Sequence, residues 1–156
     1  MEARPVEGTF SDPKTDTILD HPEGETALLI NFWKMFQSVE VTRMIGFNIK
    51  GFDLPFLIRR SWANKIQVPQ GVMDGRYFSR RFVDLRETWA CGEYGASGKL
   101  DDICKALSLP GKTGDHGAEF AKMLCSGDGE LVDQAIMYLK QDVKCLHGLA
   151  GRMGMF

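Results

Sequence analysis

Ile45-Gly46-Phe47-Asn48-Ile49-Lys50-Gly51-Phe52-Asp53-Leu54-Pro55 reads as the end of a buried strand, a glycine-containing turn and the first turn of a helix. Asp53 falls at the helix start and Pro55 just inside it. Proline is tolerated there because the first amides of a helix have no intrahelical acceptor. A carboxylate is thereby set at the carboxyl edge of a strand, the edge where α/β folds gather their chemistry. Taken alone, Asp53 is a helix N-cap. A second stretch, Tyr138-Leu139-Lys140-Gln141-Asp142, carries another carboxylate near the end of the 156-residue chain. The four-residue spacing stacks Tyr138 and Asp142 one turn apart on one helix face. An acid beside a core stripe is costly to bury unless it is paired or binds a metal. Taken alone, Asp142 is a surface acid.

Outward from these stretches the pattern is helical before residue 40. Leu29, Phe32, Trp33 and Phe36 recur at i, i+3, i+4 and i+7, which predicts a helix over Glu23–Val39. Asp20 and Glu23 have capping-box spacing at its start. Met1–Asp20 is polar, with two short β-like runs around Pro13, and is expected to form a hairpin. Val41–Phe47 is expected as a strand and Phe52–Ala63 as a helix with Phe56, Leu57 and Trp62 turned inward. Phe82-Val83-Asp84-Leu85 is a short strand ending at Arg86, and Asp84 is expected to be structural. Gly92–Gly98 reads as a mobile loop. Ser97 caps a helix over Leu100–Leu107, whose first turn holds Asp101 and Asp102. A loop at Pro110–Gly114 lacks P-loop spacing. A short helix over Gly117–Cys125 precedes a long one over Glu130–Gly151. On that last helix Leu139, Val143, Leu146 and Ala150 make a core face, beside an adjacent stripe of Tyr138, Asp142, Cys145 and Leu149. Strands alternate with helices after residue 40, which predicts an α/β layered domain. With no repeat or linker, residues 1–156 are expected to form one domain.

Hydrophobic residues at 44% and charged residues at 26% describe a globular chain, not a disordered one. No apolar run approaches the ~20 residues of a membrane helix, and the N-terminus has no signal-peptide core. Cys91, Cys104, Cys125 and Cys145 are far apart with no C-x-x-C pair, which fits a reducing compartment; a cytoplasmic location is expected. The formal net charge of -2 gives no global attraction for nucleic acid, so any such binding must come from local basic patches. Arg59, Arg60, Arg76, Arg80 and Arg81 are the candidates for following a phosphate backbone. His21, His116 and His147 are spread out, and none is expected to be a ligand.

Asn48-x-x-x-Phe52-Asp53 followed by Tyr138-x-x-x-Asp142 resembles the second and third motifs of the DEDDy 3′–5′ exonucleases, the DnaQ-like group. The chain is most similar to the predicted PolB-like 3′–5′ exonuclease family. The helix Phe52–Arg60, the strand Phe82–Leu85 and the helix and loop Leu100–Lys112 also resemble that family, so the likeness covers residues 23–151. It implies a ribonuclease H-like mixed sheet flanked by helices. It also implies a two-metal hydrolysis of the terminal phosphodiester of DNA with Mg²⁺ or Mn²⁺. By that resemblance Asp53 and Asp142 are metal ligands and Tyr138 holds the attacking water. Asn48 and Phe52 contact the terminal nucleotide; Arg59 and Arg60 are expected, by their charge, to bind the phosphate backbone of the substrate. The implied partner is the 3′ end of single-stranded DNA, with RNA left open.

The family's first motif, Asp-x-Glu on the first strand, supplies two of four metal carboxylates. Its only literal match is Asp128-Gly129-Glu130, which reads as a turn and the acidic start of the last helix. Against the family the chain is expected to be N-terminally truncated and, as it stands, weak or inactive. The alternatives are a non-catalytic nucleic-acid-binding relic or accessory subunit, and a fragment of a longer exonuclease.

Overall fold

The computed structural model describes residues 24–38, 42–93, 98–111 and 119–155. The expected hairpin over Met1–Asp20, the capping pair of Asp20 and Glu23, the Ser97 cap, most of the loop before it, and the loop from Lys112 to Gly114 lie outside the described residues. The chain falls into two compact units, one ending at Ile103 and one resuming at Cys104.

In the first unit, helix α1 spans Gly24–Gln37 and helix α2 spans Asp53–Ala63. The predicted apolar face of α1 is the buried one: Leu29, Trp33 and Phe36 are inside. The face of α2 that packs inward is Leu54, Ile58 and Ser61. Trp33 brings a polar atom into this core, and its indole Nε1–H donates to Ser61 Oγ at 2.8 Å. Ser61 Oγ in turn donates to the Leu57 carbonyl at 2.8 Å, so no donor of the pair is stranded. The expectation that Phe56 and Trp62 turn inward is corrected, because they are 54% and 61% exposed. The apolar residues of α2 are too many for one face. At 3.6 residues per turn Phe56 lies about 200° from Leu54, while Ile58 and Ser61 stay in line with it.

Strand β1, Met44–Gly46, is shorter than predicted. It pairs in parallel with a later strand, Phe82–Asp84, with Met44 opposite Phe82 and Gly46 opposite Asp84. Parallel neighbours need a crossover, and α2 lies in the connection that supplies it. That connection also holds a hairpin the sequence reading missed, β2 (Met73–Asp74) and β3 (Tyr77–Phe78), turning at Gly75 with φ of 60°. The Phe82–Asp84 strand is therefore β4. Trp33, Phe36, Leu54, Ile58, Val72 and Phe82 form one buried cluster, with Phe36 and Phe82 stacked at 5.1 Å. Helix α3, Leu85–Ala90, follows β4 without a loop, and helix α4 runs over Leu100–Ala106. Among the described residues each sheet has two strands. The fold described is thus α/β, helices with small sheets, and the larger mixed sheet is not part of it.

The second unit holds α5, Phe120–Leu124, and α6, Gly129–Arg152. Asp128 caps α6, its carboxylate accepting the Glu130 N–H at 2.9 Å. This agrees with the reading of Asp128-Gly129-Glu130 as a helix start. The expected core face is the buried one only in part, at Ala150. Ala135, Cys145, Leu149 and Ala150 are the buried residues of α6, while Leu139, Val143 and Leu146 are half-buried. The stripe Ala135, Tyr138, Asp142, Cys145 and Leu149 has heptad-like spacing of three and four and holds three of these four buried residues, with Tyr138 and Asp142 half-buried. No helix among the described residues is long and apolar enough to cross a membrane.

Candidate active site

The turn after β1 is held from two sides. Gly46 is required by close approach, since a Cβ there would lie 2.0 Å from Ile49 Cγ2. Asn48 sits at a φ of 58°, a left-handed conformation that asparagine tolerates better than most residues. The other side is Asp84 at the carboxyl end of β4, which is only 4% exposed. Its carboxylate accepts the backbone N–H groups of Asn48 at 2.8 Å, Lys50 at 3.1 Å and Arg86 at 3.0 Å. One buried acid thus ties the Asn48 turn to β4 and caps α3. The structural role expected for Asp84 is the one it has. Arg86 adds a further tie, its Nη1–H donating to Asn48 Oδ1 at 3.2 Å.

Asp53 is the first helical residue of α2. Phe52 is the N-cap, with no side-chain capping bond, so the N-cap reading of Asp53 is corrected. Phe52 is 66% exposed. Asp53 is exposed as a residue, yet it lines an apolar hollow of about 380 Å³ with Phe32, Met44, Ile49, Leu57 and Phe82. Partial burial raises the Asp53 pKa above the ordinary value of 3.8. A hydrogen bond with its own backbone opposes this, and the negative charge of Asp84 adds to it. A carboxylate whose charge is disfavoured is one that gains from a nearby cation.

Tyr138 and Asp142 are half-buried on α6, with the Tyr138 ring 6.0 Å from that of Phe120. They belong to the second unit and Asp53 to the first, and each is described within its own unit. Among the arginines, Arg59 and Arg80 are exposed. Arg60 is bound in bidentate fashion to Glu25, Nε to Oε1 at 2.6 Å and Nη2 to Oε2 at 2.5 Å, which joins α2 to α1. Arg81 lies over the Phe36 ring at 4.3 Å, and Arg76 over Tyr77 at 4.9 Å.

A two-ion centre needs several oxygen donors for each ion. Among the described residues no group of three or more His, Cys, Asp and Glu side chains is arranged to hold a metal. Both oxygens of Asp84 already accept backbone N–H groups. Of the two strand-end aspartates Asp53 is the one whose oxygens are not both taken by backbone N–H groups of other residues, and this donor set does not fit a two-ion centre.

The sequence reading missed Lys50, Tyr77 and Arg86 as possible functional residues. They line an open cleft of about 660 Å³ with Asn48 and Arg76. A signal for α3 was present in Asp84-Leu85-Arg86-Glu87, an acid followed three residues later by Glu, which is a helix-start signature. It is masked by the β-like run Phe82-Val83 immediately before it.

Comparison with known proteins places these features in context. A family model described as a predicted 3′–5′ exonuclease related to the exonuclease domain of PolB matches residues 9–145. The chain is also 32% identical over 129 residues to an uncharacterized protein of Methanocaldococcus jannaschii, across 78% of this chain and 70% of that one. No solved structure matches the chain.

Proposed function

Because the chain belongs to the family of predicted 3′–5′ exonucleases related to the exonuclease domain of PolB, we propose that it engages the 3′ end of single-stranded DNA and removes terminal nucleotides slowly. The observation that carries this reading is the state of Asp53. Its carboxyl has a raised pKa at the start of α2, beside an exposed aromatic ring, on a turn pinned by a buried acid. In this reading Asn48 and Phe52 contact the terminal nucleotide, the ring by stacking on base or sugar. Asp53 and Asp142 act on the same phosphodiester, and Tyr138 orients the attacking water. Arg59 follows the phosphates; Arg60 does so in competition with Glu25. We infer a ribonuclease H-like arrangement, with which the parallel pair of β1 and β4 and the crossover through α2 are consistent.

Mg²⁺ or Mn²⁺ is the cofactor the family implies. The described donor set falls short of what two such ions take, which is why the proposed turnover is slow. The same shortfall favours a second reading, in which the chain binds 3′ ends without cutting them.

Single-stranded DNA labelled at either end, incubated with the chain and Mn²⁺, separates the readings. Slow loss of a 3′ label with the 5′ label retained on a shortening ladder is the expected result. Salt-dependent binding without shortening selects the second reading. Neither binding nor shortening overturns both.

A further inference from the structure

The open cleft beside the Asn48 turn has three walls, all in the first unit. Asn48, Lys50 and Gly51 form one, Arg76 and Tyr77 of the β2–β3 hairpin another, and Arg86 and Glu87 of α3 the third. Three of these six side chains are cationic. The cleft also holds acids, but two of them are engaged. Asp84 accepts three backbone N–H groups, and Glu87 accepts from Lys50 Nζ at 2.6 Å. Glu93 is the remaining one. Arg86 is the member whose bonding is incomplete. Its Nη1 reaches Asn48, while its Nε is buried with no hydrogen-bond partner among the described residues. A buried guanidinium N–H that lacks an acceptor is a site where an acceptor-rich anion gains a charge-assisted bond. Across the cleft Tyr77 is 62% exposed, with Arg76 lying over its ring. A planar cation on an exposed aromatic ring, facing a cleft with an unsatisfied arginine, is a surface suited to a base and its phosphate.

The position of the cleft sets its order along a strand. Gly51 lines it, and Phe52 and Asp53 follow at once in sequence. Resting on the reading of Asn48–Asp53 as the seat of the terminal nucleotide, we propose that this cleft is a second nucleotide subsite. It takes the next phosphate of single-stranded DNA on Arg86 and the next base on the Arg76–Tyr77 hairpin. Arg86 has a positioning role as well, because its Nη1 bond orients Asn48. Among the described residues Arg76 and Tyr77 bond and stack with each other, Arg76 Nη2 donating to Tyr77 Oη at 2.5 Å, so their substitution isolates the subsite.

Anisotropy measurements with a labelled mononucleotide and a labelled octanucleotide, in a chelator so that nothing is cut, test this. The wild-type chain is expected to bind the octanucleotide at least tenfold tighter, roughly one stacked base. Replacing Arg76 and Tyr77 together by alanine is expected to remove about that tenfold from the octanucleotide and leave the mononucleotide nearly unchanged. Arg86→Gln is expected to weaken both and to lower the salt slope for the octanucleotide by about 0.7, one phosphate contact on a single strand. If the hairpin variant keeps the full length dependence, the subsite is wrong while the terminal seat stands. If the wild-type chain binds neither the mononucleotide nor the octanucleotide, the terminal seat and the subsite both fall.

Discussion

The starts of α2 and α3 face the same problem and meet it in opposite ways. Each helix begins at the carboxyl end of one of two paired parallel strands, and each has an aspartate there. Asp84 is buried, accepts three backbone N–H groups and caps its helix. Asp53 is bonded to its own backbone, lies at an apolar hollow and carries a raised pKa. The same side chain is spent on the fold in one place and held ready in the other. The proposed function gives the chemistry to the carboxylate with fewer backbone bonds, at the edge where α/β folds work.

The sharpest way to break this contrast is to remove both acids in turn. Asp84→Ala is expected to destabilise the chain by about 3–5 kcal/mol, since three N–H groups lose a charged acceptor at once. Urea unfolding measures this directly, and a loss under about 1 kcal/mol would mean the clamp is not structural. Gly46→Ala tests the other side of the same turn. Its Cβ would collide with Ile49, a branched side chain with little room to yield, and about 1–3 kcal/mol should be lost.

Asp53→Asn belongs at the far end of that scale. It should change stability by no more than about 0.5 kcal/mol at neutral pH, and in the stabilising direction. The sign follows from the raised pKa. The folded state holds the Asp53 proton more tightly than the unfolded chain, so the group favours folding below its unfolded pKa. That advantage is lost as pH rises through the folded value. Wild-type stability should therefore approach or pass that of the Asn variant as pH is lowered through this window. The smallest effect is expected at Glu25, whose pKa is lowered mainly by its hydrogen bond with Arg60. This contribution is present above the unfolded pKa and disappears as pH falls through the lower folded value. The melting curves of wild type and Glu25→Gln should accordingly converge below the ordinary value of 4.5.

What the sequence made legible follows the strength of its periodicity. The faces of α1 and the limits of α6 were readable because 14 and 24 residues give a 3.6-residue pattern room to repeat. The inward phase of α2 was not, because its 11 residues hold more apolar side chains than one face needs, and Phe56 and Trp62 compete with Leu54 and Ile58. On α6 the same ambiguity set Leu139 and Val143 against Cys145 and Leu149. The hairpin escaped because each strand is two residues long, below any period. Asp53 and its turn were visible from local residue types alone. The cleft formed by Lys50, Tyr77 and Arg86 was not, since its walls are brought together only by the pairing of β1 with β4 and the hairpin between them.

The central claim is that Asp53 and Asp142 serve one reaction, and a double-mutant cycle on the rate of 3′-end shortening in Mn²⁺ tests it most directly. Residues acting as a unit are non-additive. The account predicts that Asp53→Asn and Asp142→Asn each abolish shortening as fully as the two together. Independent effects that multiply in the double variant, or shortening that survives both substitutions, would contradict it.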